Sequence, residues 1–417
     1  MSLHPSATPS QGGTPSDSRR QFLRDGLVAS GMLAVGTASA WAQQLPALPA
    51  NPLNADGLQT IMAAANLGPL LPPDANGLRL PAGFTSRVLA RSGQTVTGSN
   101  YRWHGAPDGG ACFAMGDGGW VYVCNSELAS GAGGVSALRF NAQGNISSAY
   151  RICSSSNRNC AGGVTPWGTW LTCEEVDRGR VIECDPMGVK PQVVRNALGW
   201  FDHEAVAFDT RTGFAFLTED KSDGRLYRFR PTRSGDLSSG TLEVARRIGS
   251  AAPFTLEWLR VPSPNPSSSG TRTRRQVSGS SSFNGGEGIW FHNGVVYFTT
   301  KGDNRVWALE TASNRLDIIY DDNTAANPIL AGVDNVTVSK LGDVYVAEDG
   351  GDMQVCLIRP DRSVAPILKL EGHDNSELAG IAFSPDGTRL YFSSQRGSSG
   401  SSSAGVTYEV RGGFLSI

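Results

Sequence analysis

Neither sign of charge dominates this chain. Its 36 Lys and Arg are set against 38 Asp and Glu, a net charge of −2. No basic block stands out past the N-terminal segment, so a nucleic-acid partner is not indicated. Long apolar runs are missing too. The uncharged stretch 26–40 is too short and too rich in Gly, Ala and Ser to cross a bilayer. No second apolar run follows it, which argues against stable membrane insertion. Histidine is scarce and scattered, five in 417 residues. Helix-like stretches are nearly absent beyond residue 83, where short β-rich runs alternate with Gly, Asp and Asn turns.

The N-terminus reads as a targeting segment. Ser18-Arg19-Arg20-Gln21-Phe22-Leu23-Arg24 has a twin-arginine pattern, and Ala40-Trp41-Ala42 fits a small-x-small cleavage site. Residues 1–42 are therefore expected to be a signal peptide for the twin-arginine translocation machinery, with a periplasmic or secreted mature protein. Residues 43–82, rich in Pro, Ala, Asn and Leu, are expected to be a linker or clamp with one short helix near 57–66. Seven cysteines in an oxidising compartment invite disulfides and leave one over. The candidate pairs are Cys153 with Cys160, Cys112 with Cys124, and Cys173 with Cys184.

Residues 83–417 carry a repeat of roughly 45 residues whose hairpins begin and end in acids. The hairpin-like segments are 119–127, 168–175, 204–220, 287–301, 334–349 and 377–396. Grouped with their following strands they predict an all-β, six-bladed β-propeller, with blades near 111–153, 163–196, 204–248, 286–320, 333–370 and 378–393. Strands near 84–90 and 406–410 complete the last blade, so the two ends of the domain pair and close the ring. The Ser/Gly tract 396–405 is a flexible excursion before the closing strand. Residues 251–284 are a long loop, a candidate lid, and Arg272, Arg274 and Arg275 within it read as solvated surface.

In an antiparallel hairpin the start of one strand lies beside the end of the next. Glu204 should therefore emerge with Glu219 and Asp220, and Asp334 with Glu348 and Asp349. Around a ring these acids converge on one mouth. Carboxylates crowded into a poorly solvated cleft repel one another, which calls for polyvalent cations among them. Lys301, Arg305 and Arg396, at or just after hairpin ends, could clamp phosphate-like oxygens. Asp117, Asp209, Asp343 and Asp386 sit in Gly-containing turns and read as turn acids. His203 is placed to support Glu204, and His292 is a turn residue.

One string is highly specific. Gly162-Gly163-Val164-Thr165-Pro166-Trp167-Gly168-Thr169-Trp170-Leu171-Thr172-Cys173-Glu174-Glu175 resembles the central motif of the PhoX-type alkaline phosphatases. Asn125-Ser126-Glu127, His203-Glu204-Ala205, Thr218-Glu219-Asp220, Glu287-Gly288, Asp334-Asn335, Glu348-Asp349 and Phe383-Ser384-Pro385-Asp386-Gly387 resemble the same family in the same order. The resemblance implies a twin-arginine-exported six-bladed propeller that hydrolyses phosphate esters at an Fe3+ and Ca2+ cluster in its mouth. Carried over, it makes Cys173 the iron ligand and Glu127, Glu174, Glu204, Glu219, Glu287, Asp334, Asn335 and Glu348 metal-ligand candidates; the hairpin geometry adds Asp220 and Asp349. Thiolate is a soft ligand and carboxylate a hard one, so a Cys among acids suits a transition metal, with calcium at the all-oxygen positions. Lys301 and Arg396 are the candidate substrate-contacting residues, the substrate being a small phosphate ester, mainly a monoester, handled by a monomer. Ser126 stands where a His is common in the family, and the chain is shorter than many members; both bear on substrate range more than on the metals. Two alternatives stay open: a calcium-only hydrolase of the lactonase or phytase kind, and a non-catalytic propeller that calcium merely stabilises.

Overall fold

The computed structural model describes residues 68–414. The expected signal peptide, its cleavage site and the short helix near 57–66 lie outside them. The described residues are all-β and propeller-like. Among the described residues helix is limited to three 3-10 turns, Asn196–Leu198, Thr273–Arg275 and Lys301–Asp303. No helix among them is long and apolar enough to cross a membrane.

Antiparallel meanders make up five sheets. The first runs Pro107–Ala114, Trp120–Ser126, Gly133–Phe140, Ile146–Ser156, and the second Asn159–Val164, Trp170–Glu174, Val181–Cys184, Val193–Val194. A nine-stranded sheet contains the meander that starts at His203–Asp209 and the one that starts at Gly286–His292. The segment expected to be a long loop supplies the strand that joins them: Phe254–Arg260 pairs with Gly240–Ile248 on one side, and its first residues pair with Arg315 and Leu316 on the other. Its alternation of apolar and polar residues, Phe-Thr-Leu-Glu-Trp-Leu-Arg, is a strand pattern that the surrounding Ser and Pro obscure.

The five-stranded sheet begins at Val333–Val338 and takes Leu78–Arg79 as its outer edge. The segment expected to be linker up to residue 82 thus contributes a strand. In the last sheet Thr85–Arg91 pairs with Val406–Arg411, which pairs with Arg389–Ser394. The two ends of the domain close the ring as expected. The Ser/Gly tract before the closing strand is tied down, with Ala106 N donating to Ser402 O at 2.7 Å.

The first strands of the six meanders pack side by side: Pro107–Ala114 on Asn159–Val164, then His203–Asp209, Gly286–His292, Val333–Val338, Leu378–Phe383, and back to Pro107–Ala114. His203–Asp209 and Val333–Val338 are crowded on both faces, so they are buried along their whole length rather than on alternate residues. Close approach explains Gly288, where a Cβ would sit 2.5 Å from Val336 N, and Gly163, where it would sit 1.8 Å from Val206 O. Side chains between neighbouring sheets form the core, as in the cluster of Leu171, Val206, Leu217, Tyr227 and Val244.

All seven cysteines are free. Cys173 and Cys184 lie on adjacent strands, but the register pairs Cys173 with Val181 and Cys184 with Trp170, at opposite ends of the ladder.

Among the buried polar groups, His104 makes the stability pH-dependent. Its Nε2 lies 2.7 Å from Asn125 O and its Nδ1 2.8 Å from Ser136 Oγ, so the neutral ring donates to the carbonyl and accepts from the hydroxyl. Burial first, then Arg151, lowers its pKa to about 3. The unfolded chain takes up this proton near pH 6.5 and the folded chain does not. The contribution is therefore complete above pH 6.5 and is lost as pH falls toward 3. The share of His104 should be a loss on the order of 2 kcal/mol between pH 6.5 and 5, read in urea unfolding as the difference between wild type and His104→Asn.

Candidate active site at the mouth of the ring

Every first strand of a meander carries a register shift near its start. The shifts fall at Pro107/Gly110, Asn159/Gly162, His203/Val206, Gly286/Ile289, Val333/Val336 and Ala379/Ala382. A bulge re-aims the residue it frees from the ladder. The residue after each first-named position is Asp108, Cys160, Glu204, Glu287, Asp334 and Gly380. Five of the six carry a metal-ligand side chain. The residue just past the end of each second strand supplies the next layer: Glu127, Glu175, Asp220 and Asp349, with Lys301 in the corresponding place of the fourth meander.

These side chains meet. Four overlapping groups each bring three ligand atoms within 4.8 Å: Cys160, Glu175 and Glu204; Glu204, Glu287 and Asp334; Asp334, Asp349 and Glu377; Glu377, Asp108 and Glu127. Glu204, Asp334 and Glu377 are shared, so the groups form one continuous mouth. Groups of this make-up could hold metal ions.

Electrostatics agrees. Burial, then Glu287 and Glu175, pushes the Glu204 carboxyl well above its usual range, and both its oxygens are buried without a hydrogen-bond partner. Burial and neighbouring acids likewise raise Asp108, Glu287 and Glu377, and hold Glu175 at about 8. Asp334 is raised to about 7, by burial against the pull of Lys301. Burial, then Asp108 and Glu204, also pushes the Cys160 thiol up. The mouth carries more carboxylate than its own cations can balance, and that imbalance is the physical fit to bound metal.

Two cations stand among the acids. Lys301 Nζ lies 2.9 Å from Glu287 and 3.1 Å from Asp349. Burial opposes its charge, but Glu287, Asp334 and Asp349 hold the proton on and raise its pKa. Arg396 contacts Glu377 at 2.6 Å and Asp349 at 3.4 Å. Gln395 Nε2 donates to Asp108 (2.5 Å) and Glu127 (2.7 Å). Asn335 aims Asp334 by a 2.8 Å hydrogen bond while accepting from Gly380 N.

Of the residues expected from sequence, Glu127, Glu204, Glu287, Asp334, Asn335, Asp349, Lys301 and Arg396 come together here. Asp220 borders the mouth closely enough to raise Glu287 and Asp334. Four others do not join. Glu174 binds Arg180 at 2.7 Å and Asn157 N at 3.1 Å. Glu219 binds Arg274 at 3.0 Å and Tyr227 at 2.9 Å. Glu348 caps Ala331 N and Gln354 N, each at 2.9 Å. All three are the last residue of a second strand, and successive strand residues point to opposite sides; in each meander it is the next residue that faces the mouth. Cys173 is the fourth. It is fully buried in an apolar cluster with Leu171, Val181, Leu198 and Phe201 and belongs to none of the acid groups. The cysteine in the mouth is Cys160.

Arg274 is not solvated surface. It is 7% exposed and pairs with Glu219 and Asp223, while Arg272 pairs with Asp177. The 261–285 segment is held down by these bonds. Arg305, expected as a possible clamp, pairs with Asp303 and Asp321 instead.

The model of the alkaline phosphatase PhoX family matches residues 124–397. The chain belongs to the PhoX alkaline phosphatase family. It is a phosphatase, a hydrolase. Among solved structures, PhoX of Pseudomonas fluorescens superimposes with a TM-score of 0.67 at 18% identity, over 83% of this chain and 98% of that one. That protein was solved with vanadate, described as a transition-state analogue; at this identity the likeness speaks for the fold. A gluconolactonase of Xanthomonas campestris matches at a TM-score of 0.43 and 14% identity, over 82% of this chain and 97% of its own. No curated protein sequence matches.

Proposed function

We propose that this phosphatase hydrolyses phosphate esters, chiefly monoesters, at a cluster of Fe3+ and Ca2+ held in the mouth of a six-bladed propeller. The nine-stranded sheet then counts as two blades bridged by Phe254–Arg260. The carrying observation is Glu204, an acid with two unpartnered buried oxygens among four other carboxyls. Cys160 supplies the soft donor for iron in place of Cys173, next to Glu175 and Glu204. Glu287, Asp334, Asp349, Glu377, Asp108 and Glu127 supply the hard oxygens suited to calcium, with Asp220 at the border. Bound there, such ions act as Lewis acids toward phosphoryl oxygens and neutralise their charge.

The remaining steps fall to the chain's own groups. Lys301 and Arg396 orient the ester's phosphoryl oxygens, since phosphoryl transfer depends mostly on positioning and charge. Gln395 and Asn335 hold Asp108, Glu127 and Asp334 in place. The enzyme acts as a monomer after twin-arginine export to the periplasm or beyond.

Purified enzyme should contain iron and calcium by elemental analysis. It should release phosphate from p-nitrophenyl phosphate faster than it cleaves the bis ester. Lys301→Met should lower kcat/KM on the monoester by about 10- to 100-fold, the worth of one charge-assisted contact. Finding neither metal, or equal rates for Lys301→Met and wild type, defeats the reading.

A further inference from the structure

A second polar cavity lies at the opposite edge of the ring. It encloses about 270 Å³ between the last sheet and the turn at residues 141–145, and Arg87, Arg389, Arg411, Glu409, Ser86 and Gly144 are among its lining. The strand Arg389–Ser394 runs from this cavity toward the mouth, where Gln395 and Arg396 follow it. At the rise of an extended chain the two sites are roughly 20 Å apart.

Strand register builds the cavity. Arg389 stands opposite Arg411, and Arg411 opposite Thr85; Arg87 stands opposite Glu409. Like charges directly across a ladder destabilise it unless an anion lies between them. Glu409 is the lone acid in the lining, and its oxygens are already taken by Arg87 (2.8 Å), Arg389 (2.8 Å) and Tyr391 (3.0 Å). Asp386 is near enough to be influenced by Arg389, but Ser384 and Thr388 occupy its oxygens and it does not line the cavity. Arg411 makes no ion pair among the described residues. The lining therefore carries three guanidiniums against one carboxylate.

Arg389 is only 6% exposed, and its Nε, like that of Arg87, has no hydrogen-bond partner. Its guanidinium lies 5.3 Å from the Trp120 ring centre. Arg87 donates at 2.6 Å to Gly144 O, which fixes the turn as the cavity's far wall. One buried guanidinium, Arg389, with two more solvent-accessible ones, Arg87 and Arg411, beside an open cavity offers donors suited to an oxyanion. The volume is slightly below that of pockets for drug-sized ligands, which suits a small ion or a small phosphorylated molecule rather than a polymer.

We propose that this cavity is a binding site for a phosphate group, separate from the mouth and independent of the reaction there. The group comes either as inorganic phosphate or as the head of a small organic phosphate. Isothermal titration of metal-loaded enzyme with inorganic phosphate, and separately with a non-hydrolysable alkylphosphonate, tests it. Wild type should bind one equivalent more than Arg411→Glu, and Arg411→Ala should weaken the extra site at least tenfold, with ester turnover unchanged in both. Binding of phosphate alone identifies the free ion; binding of the phosphonate as well identifies the ester head. Equal stoichiometry and affinity in wild type and Arg411→Glu would overturn the proposal, as would equal displacement by chloride at the same ionic strength.

Discussion

Cys160→Ala should strip the transition metal and lower phosphatase activity by at least 100-fold, while Cys173→Ala should leave both intact and only weaken the fold. The two thiols are thirteen residues apart, Cys173 fully buried and Cys160 half-buried, so a non-specific effect of losing a thiol would strike Cys173 at least as hard. Their surroundings differ. Cys160 has Glu175 and Glu204 within ligand distance of one another and of itself, and its thiol is held protonated by burial and by acid neighbours. A bound cation reverses that balance and makes the thiolate a ligand. Cys173 packs among Leu171, Val181 and Phe201, so its loss should act as a small core truncation of about 1–3 kcal/mol. Iron and calcium content, turnover and a urea melt on the two variants separate the cases. If Cys160→Ala keeps full activity and only calcium is found, the site is a calcium-only one. If Cys173→Ala loses the metal, the assignment of the thiol is reversed.

The sequence made the sheets and the acid ring legible because strands and turns there follow local chemistry. The ladder endpoints agree with Gly, Pro and Asp turns such as Ser384-Pro385-Asp386-Gly387, and the closing pair of Thr85–Arg91 with Val406–Arg411 followed from counting strands. Acids were legible as a class; which of two neighbours faces the mouth was not. Glu174 and Glu175 are adjacent and chemically identical, and only the ladder decides that Glu174 turns to Arg180 while Glu175 joins Cys160. Cys160 and Asp108 do not stand out in the sequence as ligands because each lies at a bulge, where the alternation of in and out is broken. A usable signal was present. Aligning Pro107-Asp108-Gly109-Gly110, Asn159-Cys160-Ala161-Gly162, His203-Glu204-Ala205, Gly286-Glu287-Gly288 and Val333-Asp334-Asn335 puts a ligand-type residue second in each. The sixth strand departs from that rule: Gly380 takes the position with φ near 68°, and Glu377 reaches the mouth from just before the strand. No local pattern predicts that substitution. Phe254–Arg260 is hidden for another reason: Ser- and Pro-rich flanks mask its alternation although its main partner, Gly240–Ile248, is close by in sequence, and its second partners, Leu316 and Arg315, are distant.

Glu204→Gln should change stability in opposite directions with and without metal. In chelated protein the wild-type carboxyl is buried, lacks any hydrogen-bond partner and faces Glu287, Glu175, Asp334 and Asp108. Its folded pKa lies well above the 4.5 of an ordinary Glu, so the folded state holds a proton that the unfolded chain releases. Stability is then lost as pH rises past the unfolded value, and at pH 8 the group works against folding. A glutamine has the same shape without that charge. Metal-free Glu204→Gln should therefore unfold at higher urea than metal-free wild type, by about 1–3 kcal/mol at pH 8. In the metal-loaded enzyme the same substitution removes an anionic oxygen shared by two of the acid groups. Metal retention on dialysis should fall by at least tenfold, turnover should drop by two orders of magnitude or more, and the loaded melting temperature should decrease. A carboxyl with a purely structural role would change both forms in the same direction. Parallel urea and thermal curves, with and without chelator, decide between the two, because only a ligand is a burden in one state and a support in the other.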